Sequence, residues 1–362
     1  NGSSWVDFAS PLTQMGGYTD YAFDGNIPYI AYRDAACNKI TVKKFYQGQW
    51  QTVGYDCFTA YQADQICLRI NNGVPYVAFE DHNPSHQSHL TVMKFDGVAW
   101  VNVGSAGFSN QSVYHLELNF NNTIPYVIYS ESSNGYKISV KKYDGNSWVD
   151  VGGNGLLGLV GYWGVIEFTS LGDPIIAFRD QNYNNQSSVM KFDGISWNYL
   201  GSPGTNINAN ITGQWHLDLE IKNNDEVYLA ATEWNLTHPS YYTSNSNNVS
   251  VMKFDGNSWE YVGDQFLTNT FTTSNSLKFD SYNNPWIAFK EGDHASVMNF
   301  IQSCFGNTNN ISVTESGWNY VTVTDSLGCT ATDSVYVQID ICGCTDPSAF
   351  NYNSNATYDD GS

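Results

Sequence analysis

Six carboxylates recur at one position of an internal repeat: Asp34, Asp81, Glu131, Asp180, Glu233 and Glu291 each follow a short apolar run. Such acids can do two kinds of work. Each can accept backbone N–H bonds and fix the entrance of the loop behind it. A ring of them can instead hold cations, since close like charges are costly without metal. A structural role recurs once per repeat, so loop fixing is the expectation. Histidine offers a second candidate: His82, His86 and His89 share the segment "HNPSHQSH", whose spacing could bind Zn²⁺, although in a polar loop such side chains are commonly solvated. Arginine offers a third. The chain holds only Arg33, Arg69 and Arg179, and both Arg33 and Arg179 immediately precede a repeat acid. A guanidinium suits bidentate carboxylate binding, but salt bridges to neighbouring acids account for this placement equally well. Glycoside hydrolysis needs one carboxyl of raised pKa and a partner, and nothing picks such a pair from 35 acids. A Gly-rich phosphate loop and a Gly-x-Ser-x-Gly elbow are both missing from the sequence. No catalytic residue is expected.

The elements that would position these groups are written in the repeat. "VMKFDGNSWEYVG" (251–263) has near-copies centred on Trp5, Trp50, Trp100, Trp148, Trp197 and Trp259, spaced 45, 50, 48, 49 and 62 residues apart. Each unit carries four strand signals. A first strand such as "YHLELNF" is followed by an "NNG"-like turn. The second strand ("PYVAF", "PIIAF") is apolar throughout, which suits burial on both faces. The third ("TVMKF", "SVMKF") leads through Asp-Gly, a strong hairpin signal, to a fourth at the tryptophan. Periods near this length with β content indicate a propeller. The last third-strand copy, 296–300, lacks its fourth strand, and residues 1–8 read as that strand. The expected fold is therefore all-β: a six-bladed β-propeller over 1–302, closed by the N-terminal strand.

In an up-and-down blade, alternate connections lie on opposite ends. The "NNG" and "FDG" turns are short and uniform. The remaining connections are long and differ in every copy, and varied loops on a rigid scaffold are where binding usually resides. All seven histidines fall in or beside these connections. The expected ligand-binding residues of this variable face are Trp163, Trp215, Trp234, Tyr183, Tyr241, Arg33, Arg179 and His82. Amphipathic aromatics suit stacking on sugar rings or protein hot spots, though large aromatics also simply pack loops. Cys37 and Cys57 lie in connections of the same face and are expected to pair; Cys67, in a first strand, is expected to be a buried free thiol.

The bulk numbers exclude several functions. With Asp+Glu at 35 and Lys+Arg at 15, the net charge is −20, which repels nucleic acid and attracts cations. No apolar run is long enough to span a membrane. The chain begins without Met inside a repeat copy, so it is expected to be a piece of a longer protein. Seven cysteines, crowded toward the end, suggest an oxidising compartment, and the odd count suggests a further partner beyond Ser362. Residues 303–340 alternate like a partial immunoglobulin-type β module stapled by Cys304–Cys329. Residues 341–362 form a Cys-rich segment. Its Asn351, Asn353, Asp359 and Asp360 could ligate Ca²⁺, the one candidate cofactor.

"CGCTDPSAFNYNSNATYDDGS" resembles a module found in large secreted and surface proteins of marine Bacteroidetes. "VTVTDSLGCTATDSV" is similar to their SprB-like or PKD-like adhesin repeats, and the "FDGxSW" units look like their propeller repeats. The resemblance implies export and cell-surface or extracellular residence, and no catalytic residue. The Asp-Gly turns also bring sialidases to mind. Those proteins, however, separate the two residues in S-x-D-x-G-x-T-W and hold a carboxylate with three arginines. The expectation is a secreted, non-enzymatic adhesion protein, monomeric within a larger chain, that binds a glycan or a surface protein. The alternatives are a sialidase-like or lyase enzyme acting on polysaccharide, and a purely structural adhesin segment.

Overall fold

A computed structural model describes residues 15–85, 88–132, 135–153, 159–205, 211–235, 247–268, 272–281, 283–291, 294–300, 317–324, 330–337, 342–349, 351–356 and 358–359. The chain divides into two compact units, Asn1–Phe300 and Ile301–Ser362.

The first unit is a six-bladed β-propeller. Five antiparallel sheets have four strands each, and the sixth has three among the described residues. The blades occupy 15–52, 63–102, 113–150, 161–199, 211–261 and 272–299. Within each, strand order follows the chain from the inside outward, and the inner strands of successive blades pack side by side. The strand expected at 1–8 lies outside the described residues. Its would-be neighbour, His294–Asn299, leaves Val297 and Met298 exposed. In the second unit, Gly317–Thr324 pairs with Thr330–Val337, and Cys342–Gly343 pairs with Tyr358–Asp359.

The repeat motif is explained by contacts between blades. The indole N–H of Trp100, Trp148, Trp197 and Trp259 donates to the carbonyl of Val53, Val103, Val151 and Leu200, at 2.9, 2.7, 2.9 and 2.8 Å. Each acceptor lies near the end of the preceding blade's fourth strand, and the next residue is glycine. Gly152 shows why: its φ is +80°, and a Cβ there would lie 2.4 Å from the Trp197 ring. The Asp-Gly turns are equally structural. In four blades Asp96, Asp144, Asp193 and Asp255 each accept two backbone N–H bonds, which hold the carboxyls below their ordinary pKa.

Inner strands are latched by side chains. Asp20, Glu117 and Asp218 accept the N–H of Leu68, Ile166 and Leu277 in the next blade, at 2.7, 3.0 and 2.7 Å. The Cys67 sulfur does the same for Leu118 at 3.3 Å, and burial pushes this free thiol up to about 12. Deeper in the channel, Arg69 bridges Asp20 and Glu117. Burial, reinforced by Glu117 and Asp218, raises Glu167 to about 7 against the opposing pull of Lys278 and Arg69. The sign follows. The folded state binds the Glu167 proton more tightly than the unfolded chain does, so stability falls as pH rises from about 4.5 to 7. Glu167→Gln removes that slope and is expected to stabilise the protein at neutral pH by on the order of 1–3 kcal/mol. Urea denaturation across the window checks this, and parallel curves for the two proteins would refute it.

Candidate functional site

Every inner strand is broken near its start by a bulge. The register shifts between Met15 and Thr19, Asp64 and Cys67, Tyr162 and Val165, Trp215 and Asp218, and Thr273 and Asn275; in blade 3 the slip is seen on the partner strand, between Ile128 and Ser130. One non-glycine residue per bulge adopts left-handed φ: Tyr18, Gln65, His115, Trp163, His216 and Ser274, at 44, 49, 46, 50, 48 and 54°; in blade 1 Gly17 precedes Tyr18 at 98°. Such strain costs on the order of 1–3 kcal/mol per residue and recurs where side chains are re-aimed at a functional surface. These residues stand at the variable-loop end of the strands.

Around blades 3 to 5 the re-aimed residues form a continuous patch. His115 lies 4.4 Å from Trp163 and 4.6 Å from Tyr114, centroid to centroid. Tyr136 and Tyr162 approach to 4.6 Å, and His115 and Tyr162 meet edge-on at 6.1 Å. Trp163 continues to Trp215 at 4.9 Å, and Trp215 to Trp234 at 6.5 Å. The Arg179 guanidinium covers Trp215, with Cζ 3.7 Å from the ring centroid, and is 5.4 Å from Trp163 and 5.9 Å from Tyr162.

The electrostatics of this patch are unusual for so acidic a chain. No carboxylate among the described residues forms an ion pair with Arg179, and its buried Nε has no hydrogen-bond partner. Trp215 Nε1 and His216 Nδ1 are likewise buried without partners. Burial lowers the Arg179 pKa, yet a guanidinium stays charged at any working pH. Burial, with help from the His216 and Arg179 charges, lowers His115 to about 4, and burial also lowers His216. His115 is therefore a neutral imidazole at neutral pH, beside a cation that has no ion-pair partner among the described residues.

A second cluster occupies blades 1 and 2. Arg33 donates to Asp64 and to the Gly16 carbonyl, beneath Tyr18. Asp64 Oδ2 also meets Gln62 Nε2 and His82 Nε2, each at 3.1 Å. His82 Nδ1 is 3.0 Å from Ser88 Oγ, and Glu80 lies 3.7 Å from Nε2. Asp64 and Glu80 oppose each other across the strands, and burial raises the Glu80 carboxyl. With His82 they could contact a cation, but the Arg33 guanidinium already pairs with Asp64 there.

The predicted residues divide accordingly. Trp163, Trp215, Trp234 and Arg179 come together; Arg33 and His82 meet in the second cluster. Tyr183, 40% exposed on the short 3-10 turn Gln181–Tyr183, reaches Tyr199 rather than the patch. Tyr241 lies outside the described residues. The histidine run does not converge: His89 contacts the Gly107 carbonyl at 3.3 Å, and His86 is outside the described residues. The three arginines do not converge either, since Arg69 is spent in the channel. Cys37 and Cys57 are bonded as expected, whereas Cys304 and Cys329 lie outside the described residues. Of the Ca²⁺ candidates, Asn353 Oδ1 accepts the Asn355 N–H at 3.0 Å, while Asp360 and the side chain of Asp359 are outside the described part. His115, His216, Tyr114, Tyr136 and Tyr162 had not been singled out as site residues. The signal that finds them is repeat register: His115 and His216 align with Trp163.

The repeat acids are loop fixers. Asp81 and Asp180 accept the N–H of Asn83 and Asn182, each at 3.0 Å, and Asp34 that of Ala36 at 2.9 Å. Asp81, Asp180, Glu233 and Glu291 also accept a third-strand hydroxyl, from Thr91, Ser188, Ser250 and Ser296.

No family model and no curated protein matches this chain. Solved structures match in fold. One is an ulvan lyase of a new polysaccharide-lyase family, bound to glucuronate linked to 3-sulfated rhamnose: TM-score 0.52, 10% identity, 77% of this chain and 78% of that one. A Trypanosoma rangeli sialidase matches at TM-score 0.48 and 11% identity, over 77% of this chain and 53% of its own. An endo-arabinase from Bacteroides thetaiotaomicron matches at TM-score 0.41 and 11% identity, over 68% and 97%. At such identities the likeness establishes the fold alone. It nonetheless corrects the expectation of a non-enzymatic protein, because the propeller is one that a polysaccharide lyase also adopts.

Proposed function

We propose that this chain is a polysaccharide-degrading enzyme whose active centre is the patch of His115, Tyr162, Trp163, Arg179 and Trp215. The observation that carries this reading is Arg179, a cation lying on Trp215 with no acidic partner among the described residues, next to an imidazole kept neutral by its surroundings. Indole faces stack on sugar rings, a guanidinium orients polar substituents, and a neutral imidazole can accept a proton. Together these supply a binding platform and a general base in one half-buried place. The Cys37–Cys57 disulfide supports work in an oxidising, extracytoplasmic compartment.

Trp215→Ala is the direct test. Losing a central aromatic anchor costs about 2 kcal/mol or more, roughly thirtyfold in affinity. The measurement is release of new chain ends from a panel of neutral and charged polysaccharides, together with affinity electrophoresis in the same polymers. An unchanged Trp215→Ala protein would remove the patch from consideration; no cleavage of any polymer would remove the enzymatic reading.

A further inference from the structure

We infer that the polymer is a uronate-bearing polysaccharide and that its chain is broken by β-elimination, with Arg179 holding the carboxylate, His115 taking the proton and Tyr162 supplying one. This rests on the enzymatic reading above and adds the substrate class and the bond that breaks.

The substrate class follows from Arg179. A buried guanidinium is normally matched to a carboxylate of its own chain, as Arg33 is to Asp64 and Arg69 to Asp20 and Glu117. Arg179 occupies the repeat position of Arg33 but, among the described residues, forms no ion pair and lies against Tyr162, Trp163 and Trp215. A sugar carboxylate would complete the pair while its ring stacks on Trp163 or Trp215. The chain's overall charge of −20 does not forbid an anionic ligand, because screening confines a field to about 8 Å in physiological salt, and the repeat acids Asp180 and Glu233 of blades 4 and 5 are already bonded.

The reaction class follows from what surrounds Arg179. Hydrolysis by the usual route needs two carboxyl groups flanking the bond; around Arg179 stand imidazole, phenol and indole rings. Elimination needs a different set. A cation on the carboxylate acidifies the adjacent C5–H. Neutral His115 removes that proton. The electron pair forms the C4–C5 double bond, the C4–O4 bond breaks, and the departing oxygen takes the Tyr162 hydroxyl proton. The His115 proton then returns to the Tyr162 phenolate. One C–O bond is exchanged for one C=C bond, a proton has moved from C5 to O4, and neither water nor an oxidant is consumed. Burial keeps His115 unprotonated and free to accept the C5 proton, and a bound carboxylate beside it would raise its basicity.

The experiment uses the whole chain with pectate, alginate and a glucuronan, each beside its carboxyl-reduced form. Elimination leaves an unsaturated uronate whose conjugated double bond absorbs in the ultraviolet. The expected result is such absorbance from at least one native polymer and none from its reduced counterpart. His115→Gln is expected to lower kcat by on the order of 10²–10⁴-fold with KM little changed. Arg179→Ala should lose both turnover and uronate affinity, with partial rescue of affinity in Arg179→Lys. Circular dichroism of the variants separates these losses from misfolding. Saturated new ends, or equal cleavage of the reduced polymers, would overturn the elimination while leaving a polysaccharide-degrading enzyme in place. Uronate binding without turnover would also overturn the elimination. Neither turnover nor Arg179-dependent binding of uronate oligosaccharides would overturn the whole inference.

Discussion

Trp197→Ala is expected to destabilise the propeller by about 3–5 kcal/mol, enough to unfold much of a marginally stable population. Trp197 is 4% exposed and lies between two blades. It packs with Val151, Ile166 and Ile176, and its ring faces Phe192 at 5.2 Å. Truncation opens a cavity between sheets whose strands cannot collapse into it without losing register. It also strands the Val151 carbonyl, which now accepts the indole N–H at 2.9 Å. Gly152→Ala attacks the same joint from the other side, because it forces a Cβ into the ring at a φ of +80°. Its cost should be comparable and should not add fully to that of Trp197→Ala, since both disrupt one contact. Urea denaturation of the two single variants and the double variant measures this. A loss below about 1 kcal/mol for Trp197→Ala would mean that the repeat tryptophan does not join the blades.

That joint was legible in the sequence because it recurs. Trp, Gly and Asp-Gly stand at constant offsets, and a constant offset in a period of four strands can only be a structural requirement repeated once per blade. The six acids were legible for the same reason. The patch was not. Three of its residues, His115, Trp163 and His216, share a register, the left-handed position of the inner strand, yet across the six blades that position is filled by Tyr, Gln, His, Trp, His and Ser. No residue type marks the bulge, because the bulge is imposed by how the first strand meets the second, and each blade then uses it differently. Reading function from the long loops pointed to the end of the propeller where the aromatic patch lies, and to Arg179, Trp163 and Trp215 within it. It gave equal weight to Tyr183, which contacts Tyr199 instead, and to His82, which joins Asp64 in the second cluster. What separates His115 from the other histidines is burial beside a cation, and that exists only once blades 3 to 5 are packed.

The same bulge explains why scaffold and site can be so close. Arg179 and Asp180 are adjacent on the strand Pro174–Asp180, so their side chains leave opposite faces. One reaches the aromatic patch; the other is fully buried and ties the strand end down. Asp180 Oδ2 accepts the Ser188 hydroxyl at 2.8 Å, and Ser188 Oγ in turn accepts the Gly204 N–H at 2.9 Å. The acid therefore connects the second strand, the third strand and the connection to the next blade. Blade 2 repeats the relay through Asp81, Thr91 and Gly107, at 3.1 and 2.9 Å.

Asp180→Ala should accordingly damage both levels. It removes an acceptor for two hydrogen bonds, each contributing about 1.5–3 kcal/mol to a charged partner, offset in part because a buried carboxylate is no longer desolvated. A net loss of about 2–4 kcal/mol is expected. Asp180→Asn keeps the shape and the bond from the Asn182 N–H, but it turns an amide donor toward Ser188, whose hydroxyl already receives the Gly204 N–H. It should lose about half as much stability. In the folded fraction of either variant the strand end is released, so polysaccharide cleavage should fall through the position of Arg179, with Trp215-dependent affinity retained. Denaturation curves and cleavage assays on both variants decide the matter. If Asp180→Ala proved as stable as the parent, the repeat acids would not be anchors, and a cation-binding ring would regain its place as the explanation for their recurrence.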